Sequence, residues 1–400
     1  MTTDPARRVR RLQLTRAAHW FAAAQGDPYG KILRATDDDP DACTAYEEEI
    51  RARGPLFRSE LLDTWATAHR AVADELAAHP DFDAPAAQDA PVPSAALALD
   101  RAACERLRPL TAFGGPLLWA PDEECVERRA ERYARELLTT LGDAFDVVDD
   151  YAVPVAVRTV AEQFGLPADA YEPFAGALAG CRHALDGLFA PQPYDTERAG
   201  QHAESELTRL LETHLCEPDE DRVRAARAVA VATACTAPVL VAGAVRVLGD
   251  APGQWELLAG RPDLAPRAVE ETLRRTPPVR LEARTARTDT TLAGVALPAG
   301  ARVVVLVAAV DRDPSAPHGA VHLQRAPRGG EPAPFALPGD LYFALAGPLV
   351  RSTARGALRA LAEAAPRLTV APATAVRRRS PVLRAPAAMP AVRGELVCAS

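Results

Sequence analysis

The sequence predicts a mainly α-helical fold with a small β-sheet region, built as a single domain over residues 1–400. Three observations predict it. Apolar residues recur at helical spacing in one stretch after another, strand signals are concentrated in one late region, and no internal repeat or long flexible linker divides the chain. At 48% hydrophobic residues, a chain of this length can bury a large core.

Taken in order, helices are expected over 7–24, 43–53, 67–78, 122–141, 152–164, 170–187 and 199–215, each bounded by Pro, Gly or acidic turn residues, with residues 1–10 expected to be flexible. A long helix is expected over 220–248. Within it, AVAVATACTAPVLVAGAV at 228–245 is uncharged and about long enough to cross a bilayer. It is Ala-rich, holds a single Leu and has Pro238 in its middle, so its apolar gain in lipid is weak, and a buried core helix is the better reading. A further helix over 264–275 is ended by Pro277 and Pro278. Residues 290–310, TTLAGVALPAGARVVVLVAAV, predict strand, turn and strand, with Gly294 and the Pro298–Gly300 corner doing the turning. Residues 311–340 are a Pro/Gly-rich irregular run. PGDLYFALAGPLVR at 338–351 is expected to be a loop feeding a helix over 348–364, because Pro348 suits a first helical position.

The net charge is −8 and basic residues are spread along the chain, which argues against nucleic acid and anionic membrane as partners. Lys31 is the sole lysine, and with the abundant alanine this points to a GC-rich coding bias. Seven scattered cysteines (Cys43, Cys104, Cys125, Cys181, Cys216, Cys235, Cys398) form no C-x-x-C pair, which argues against a disulfide framework or structural zinc and for a reducing cytoplasm. The N-terminus lacks an unbroken apolar core and is not a secretory signal. The acidic runs Asp37–Asp41 and Glu217–Asp221 are expected to be solvated loops. His318 and His322 stand four apart, but among Pro and Gly with no neighbouring carboxylate they are two loop histidines, and no metal site is expected. No G-x-S-x-G, P-loop or G-x-G-x-x-G occurs, so hydrolase and nucleotide-binding signatures are absent.

The most informative pair lies in AVEETLRRTPPVR, residues 268–280. Glu271 and Arg274 are three apart on one helix face, where carboxylate and guanidinium can pair. After this E-x-x-R and double proline come Arg284 in RLEARTARTD, the strand pair around ALPAGARV, VDRDP, and PGDLYFALAGPLVR. That order resembles the cytochrome P450 superfamily over essentially the whole chain, and it implies that fold.

In that superfamily the last stretch reads F-G-x-G-x-H-x-C-x-G-x-P-L-A-R, and its cysteine thiolate ligates haem iron. Matching Pro348–Arg351 onto the ending puts Ala344 at the cysteine, Tyr342 at the histidine, Asp340 at a glycine and Ala346 at the glycine after the cysteine. Alanine cannot coordinate a metal. The family's long central helix carries A-G-x-[DE]-T-T, an acid and alcohol that deliver protons to bound oxygen. Here VATACT at 231–236 puts Ala234 at the acid and Cys235 at the first threonine, with Thr233 or Thr236 as substitutes if the register slips. The arginine that normally locks onto E-x-x-R falls on Ala320 or, less directly, Arg325 of HGAVHLQR. Arg284, which reaches a haem propionate in haem-bearing relatives, is kept. The resemblance therefore implies no haem, no metal and no catalytic residues, with Glu271 and Arg274 structural, holding their helix against residues 311–340.

The N-terminal LQLTRAAHWFAAAQGDPYGKIL, with His19-Trp20, Gly26-Asp27-Pro28-Tyr29 and the acidic DDDPD after it, is similar to the haem-less auxiliary proteins of antibiotic biosynthesis. This implies a protein that binds, stabilises and allosterically activates a deoxysugar glycosyltransferase acting on a macrolide or anthracycline polyketide, in a hetero-oligomer with it. Trp20, Phe21 and Tyr29 are the candidate partner contacts, because aromatic residues anchor interfaces. A competing reading has Leu14, Ala18 and Phe21, at i, i+4 and i+7, covering the protein's own core, with Trp20 off that stripe. A competing function is a repurposed enzyme of the same fold doing haem-independent chemistry on a natural-product intermediate.

Overall fold

The computed structural model describes residues 5–34, 40–84, 96–97, 99–312, 321–324, 333–335, 342–371, 380–383, 385–386 and 388–394. Helices α1 (Pro5–Ala24), α2 (Pro28–Arg34) and α3 (Pro40–Ala52) each open on a proline, whose fixed φ and missing N–H suit a first turn. Helix α1 thus starts inside the stretch expected to be flexible. Strands β1 (Phe57–Ser59) and β2 (Thr64–Thr67) form a hairpin, followed by α4 (Arg70–Ala78) and β3 (Phe82–Asp83). The helix expected from residue 67 begins later because Thr64–Thr67 pairs with a distant strand, an assignment that local spacing could not reveal.

Helices α5 (Arg101–Leu107) and α6 (Glu123–Thr140) are capped by Asp100 and Asp122, whose side chains accept from the N–H groups of Ala103 and Cys125. Strand β4 (Ala144–Asp146) and a single π-turn over Val147–Ala152 lead into α7 (Val153–Gln163). The predicted 170–187 helix is two, α8 (Tyr171–Gly180) and α9 (Ala184–Gly187), parted where Gly180 closes against Ala203 of α10 (Tyr194–His214). The acidic run at 217–221 is partly a helix start. Asp219 caps α11 (Glu220–Gly249) by accepting from the Arg222 N–H, and Glu220 and Asp221 lie in its first turn, favourable at the positive end of the helix.

Helices α12 (Gln254–Gly260) and α13 (Ala265–Arg275) precede strands β5 (Leu281–Ala286), β6 (Thr290–Leu292), β7 (Val295–Leu297) and β8 (Arg302–Leu306). The β6–β7 hairpin turns through Ala293 and Gly294, both at positive φ as a two-residue turn requires. Residues 307–310, expected to continue the strand, instead begin α14 (Val307–Asp311). A short apolar run such as VVVLVAAV does not by itself separate strand from buried helix. The main sheet runs β1-β2-β8-β5-β3, antiparallel except for the β2–β8 pair. Helix α15 (Tyr342–Ala364) and strands β9 (Thr369–Val370) and β10 (Pro390–Val392) end the described chain, β10 pairing with both β4 and β9.

The core is organised around α15, which packs between α6 and α11. The Tyr151 hydroxyl donates to the Ala357 carbonyl at 2.5 Å, and Trp255 Nε1 donates to the Ala365 carbonyl at 2.9 Å, fixing the distal half of α15. Helix α11 is long and apolar enough to cross a membrane, yet 83% of its most apolar window is buried inside the protein, so its apolar surface is spent on the core. The six cysteines among the described residues are free thiols.

Candidate functional site

Apart from Arg284 on β5, the motif candidates described fall on three helices that meet in the core, α11, α13 and α15. On α13, Glu271 and Arg274 are both buried. Glu271 is bracketed along its own helix by Arg267, Nη2 at 2.6 Å, and by Arg275, Nε at 3.7 Å. The i, i+4 spacing on either side of Glu271 carried that signal, and sequence reasoning attended to Arg274 alone. Next door, Glu270 meets Arg351 of α15 at 3.3 Å, tying the two helices together. Most of residues 311–340, against which the pair was expected to hold α13, lies outside the described residues. Ala320, Arg325 and His318 lie there too; His322 is exposed.

A second buried ion cluster was not anticipated. Glu47 of α3 pairs with Arg312 and lies 3.8 Å from Arg280 Nη2, while Arg51 on the same helix donates to the Ala68 carbonyl at 2.7 Å and the Ala309 carbonyl at 2.5 Å. Except for Arg51 to Ala68, these contacts link residues more than two hundred positions apart, which sequence periodicity does not encode.

Ala344 lies in the first turn of α15, which starts at Tyr342 and not at Pro348. Position 344 is therefore helical rather than part of a loop. Pro348 sits inside the helix, where its missing N–H leaves the Ala344 carbonyl without the usual i+4 donor. The same relationship recurs on α11, where Pro238 follows Ala234 by four. Thr233 is fully buried with an unbonded hydroxyl, and Thr236 donates back to the Ala232 carbonyl at 2.7 Å. No carboxylate occurs on α11 between Asp221 and the helix end.

A haem does not fit these residues. On the sequence match that sets position 344 against the iron ligand, Ala344 offers a methyl group where a thiolate would be needed. Arg284, buried on β5, has a carboxylate of this chain beside it, Glu282 Oε2 at 3.7 Å.

At the N-terminus the structure separates the aromatic candidates. Tyr29 is only 3% exposed, packed in the core with its hydroxyl pKa pushed by burial up to about 12, so it is not a surface contact. Its place in the short α2, turned inward against α1, explains the correction. Trp20 and Phe21 are 59% and 49% exposed, and Leu14 is 65% exposed. The reading in which Leu14, Ala18 and Phe21 cover the core is also overturned. The buried positions of helix α1 include Leu12 and Ala22 instead.

A family model described as cytochrome P450 matches residues 246–316, the stretch holding Glu271, Arg274 and Arg284. Over nearly full length the chain is 47% identical to Protein TylM3 of Streptomyces fradiae, covering 95% of this chain and 92% of that protein. It is 38% identical to Protein DesVIII of Streptomyces venezuelae (94% and 91% covered) and 32% identical to the cytochrome P450 family protein EryCII of Saccharopolyspora erythraea (96% and 97%). The chain belongs to the cytochrome P450 family. The fold agrees: ligand-free CYP164A2 of Mycobacterium smegmatis superposes with a TM-score of 0.75 at 23% identity, covering 91% of this chain and 99% of that one. Helices α11 and α15 hold Ala234 and Ala344, the two residues that the sequence resemblance sets against the family's acid and cysteine positions.

Proposed function

We propose that this P450-family chain is a non-catalytic auxiliary protein that binds, stabilises and activates a deoxysugar glycosyltransferase acting on a polyketide antibiotic aglycone. The observation that carries the proposal is Ala344: the residue that the sequence match sets against the iron ligand is an alanine in the first turn of a helix. A fold kept without its chemistry has to act by binding. The near full-length likeness to TylM3, DesVIII and EryCII and the exposed apolar face of α1 support the reading. The protein works in the cytoplasm as part of a hetero-oligomer. An activator without chemistry must favour one state of its partner over another, since equal binding shifts nothing.

The test is co-expression with the glycosyltransferase of the same gene cluster. A complex that co-purifies, raises the enzyme's melting temperature and is required for sugar transfer is the expected result. A glycosyltransferase that stays unbound and is fully active alone would refute the reading.

A further inference from the structure

A cavity of about 580 Å³ opens between α1, α2 and the segment leading into α10, a volume in the range of small-molecule sites. None of its lining residues comes from α11, α13 or α15, so it is separate from the haem-related positions. Two guanidinium groups line it, Arg16 from α1 and Arg34 from α2, and among the described residues no Asp or Glu does. Among the described residues neither arginine makes an ion pair or hydrogen bond, whereas many arginines of this acidic chain are matched to carboxylates, as Arg106 is to Asp221 at 2.9 Å. The N-terminus of α10 borders the same space through Pro193 and Thr196, and Pro193 supplies no side-chain cap. Trp20, Pro191 and Pro193 are among its apolar lining.

We propose that this cavity binds a small molecule bearing a diphosphate on a planar organic body, the diphosphate held by Arg16 and Arg34 and the body lying against Trp20 and the prolines. Guanidinium forks match phosphate oxygens bidentately, and two arginines carried on separate helices suit a group with two anionic centres. Trp20 offers stacking, and the prolines apolar area, to a ring. The inference does not depend on the proposed partner.

Isothermal titration calorimetry of the full chain with uridine diphosphate, inorganic pyrophosphate and uridine tests it. Saturable binding of uridine diphosphate is expected, with uridine not binding because it lacks the charge-assisted hydrogen bonds, each worth roughly tenfold or more, and with pyrophosphate at least about tenfold weaker because it lacks the ring that lies against Trp20. The double variant Arg16→Gln, Arg34→Gln should lose at least about tenfold in affinity with an unchanged melting temperature, and each single variant a smaller share. No saturable binding of uridine diphosphate, unchanged binding in the folded variants, or pyrophosphate bound as tightly as uridine diphosphate would overturn the proposal.

Discussion

Gly356 of α15 lies against the backbone carbonyl of Glu127 in α6, so close that a Cβ at position 356 would overlap that oxygen and press on the Ala130 Cβ. The approach is clamped by charge on both sides. Arg355 reaches Glu123 at 2.8 Å and Glu127 at 3.1 Å, and Arg359 reaches Glu127 at 3.4 Å and Glu131 at 3.2 Å. Replacing a helical glycine by alanine ordinarily adds about 0.5–1 kcal/mol of stability. Here the sign should reverse. The obstructing atom is backbone and cannot rotate away, so Gly356→Ala should destabilise by about 1–3 kcal/mol, the usual cost of overpacking. Urea denaturation measures it, and a gain in stability would show that the two helices can part freely.

The main lines of the fold were legible because helical periodicity is a local signal, strong in segments such as α6, α10 and α13. What was missed is non-local. Strands β1, β2 and β3 are short, and the sheet is joined by pairs far apart in sequence, β2 with β8 and β3 with β5. The start of α15 was placed at Pro348 by a sound rule, but packing of Leu345, Ala346 and Leu349 in the core draws the helix back to Tyr342. At the candidate site, Ala344 and Glu271 were readable as motif positions, whereas Glu47 and its arginines were not, since nothing local links α3 to Arg280 and Arg312.

Glu271 should prove structural. Its carboxylate is buried between Arg267 and Arg275, with Arg274 buried nearby, so Glu271→Ala leaves positive charge uncompensated in a dry environment. Removing one partner of such a cluster costs about 3–5 kcal/mol. Soluble yield and melting temperature should fall together. A variant as stable as the parent but inactive would assign Glu271 a direct functional role instead.

Acid should weaken the protein through His19. Burial, aided by the positive charge of Arg302, lowers its pKa from 6.5 to about 4. Between those values the unfolded chain takes up a proton that the folded chain refuses, so stability is lost as pH falls through this window. Melting temperature should therefore decline from pH 6.5 towards pH 4, and more steeply than in His19→Gln. Parallel profiles for the two proteins would remove His19 from the account.

Because Ala344 has no donor atom, the purified protein should be colourless and show no Soret band after incubation with haem. The reduced protein under carbon monoxide is the stricter measurement. A thiolate-type band there would mean that a displaced cysteine ligates iron and that the non-catalytic reading is wrong.

The outer face of α1 is the place to look for the partner. Leu14, Trp20 and Phe21 expose large apolar surface while Leu12 and Ala22 of the same helix are buried, so the exposed side chains contribute little to the protein's own core. Aromatic anchors dominate interface energies, with losses of about 2 kcal/mol or more when one is cut back to alanine. Trp20→Ala and Phe21→Ala should each weaken the complex with the glycosyltransferase by about tenfold or more while leaving the melting temperature of the isolated protein unchanged. The unchanged melting temperature separates a contact residue from a packing residue. A complex that keeps its affinity when both are replaced would place the interface on another face, with the activator reading intact; loss of folding in either variant would show that α1 needs these rings for itself.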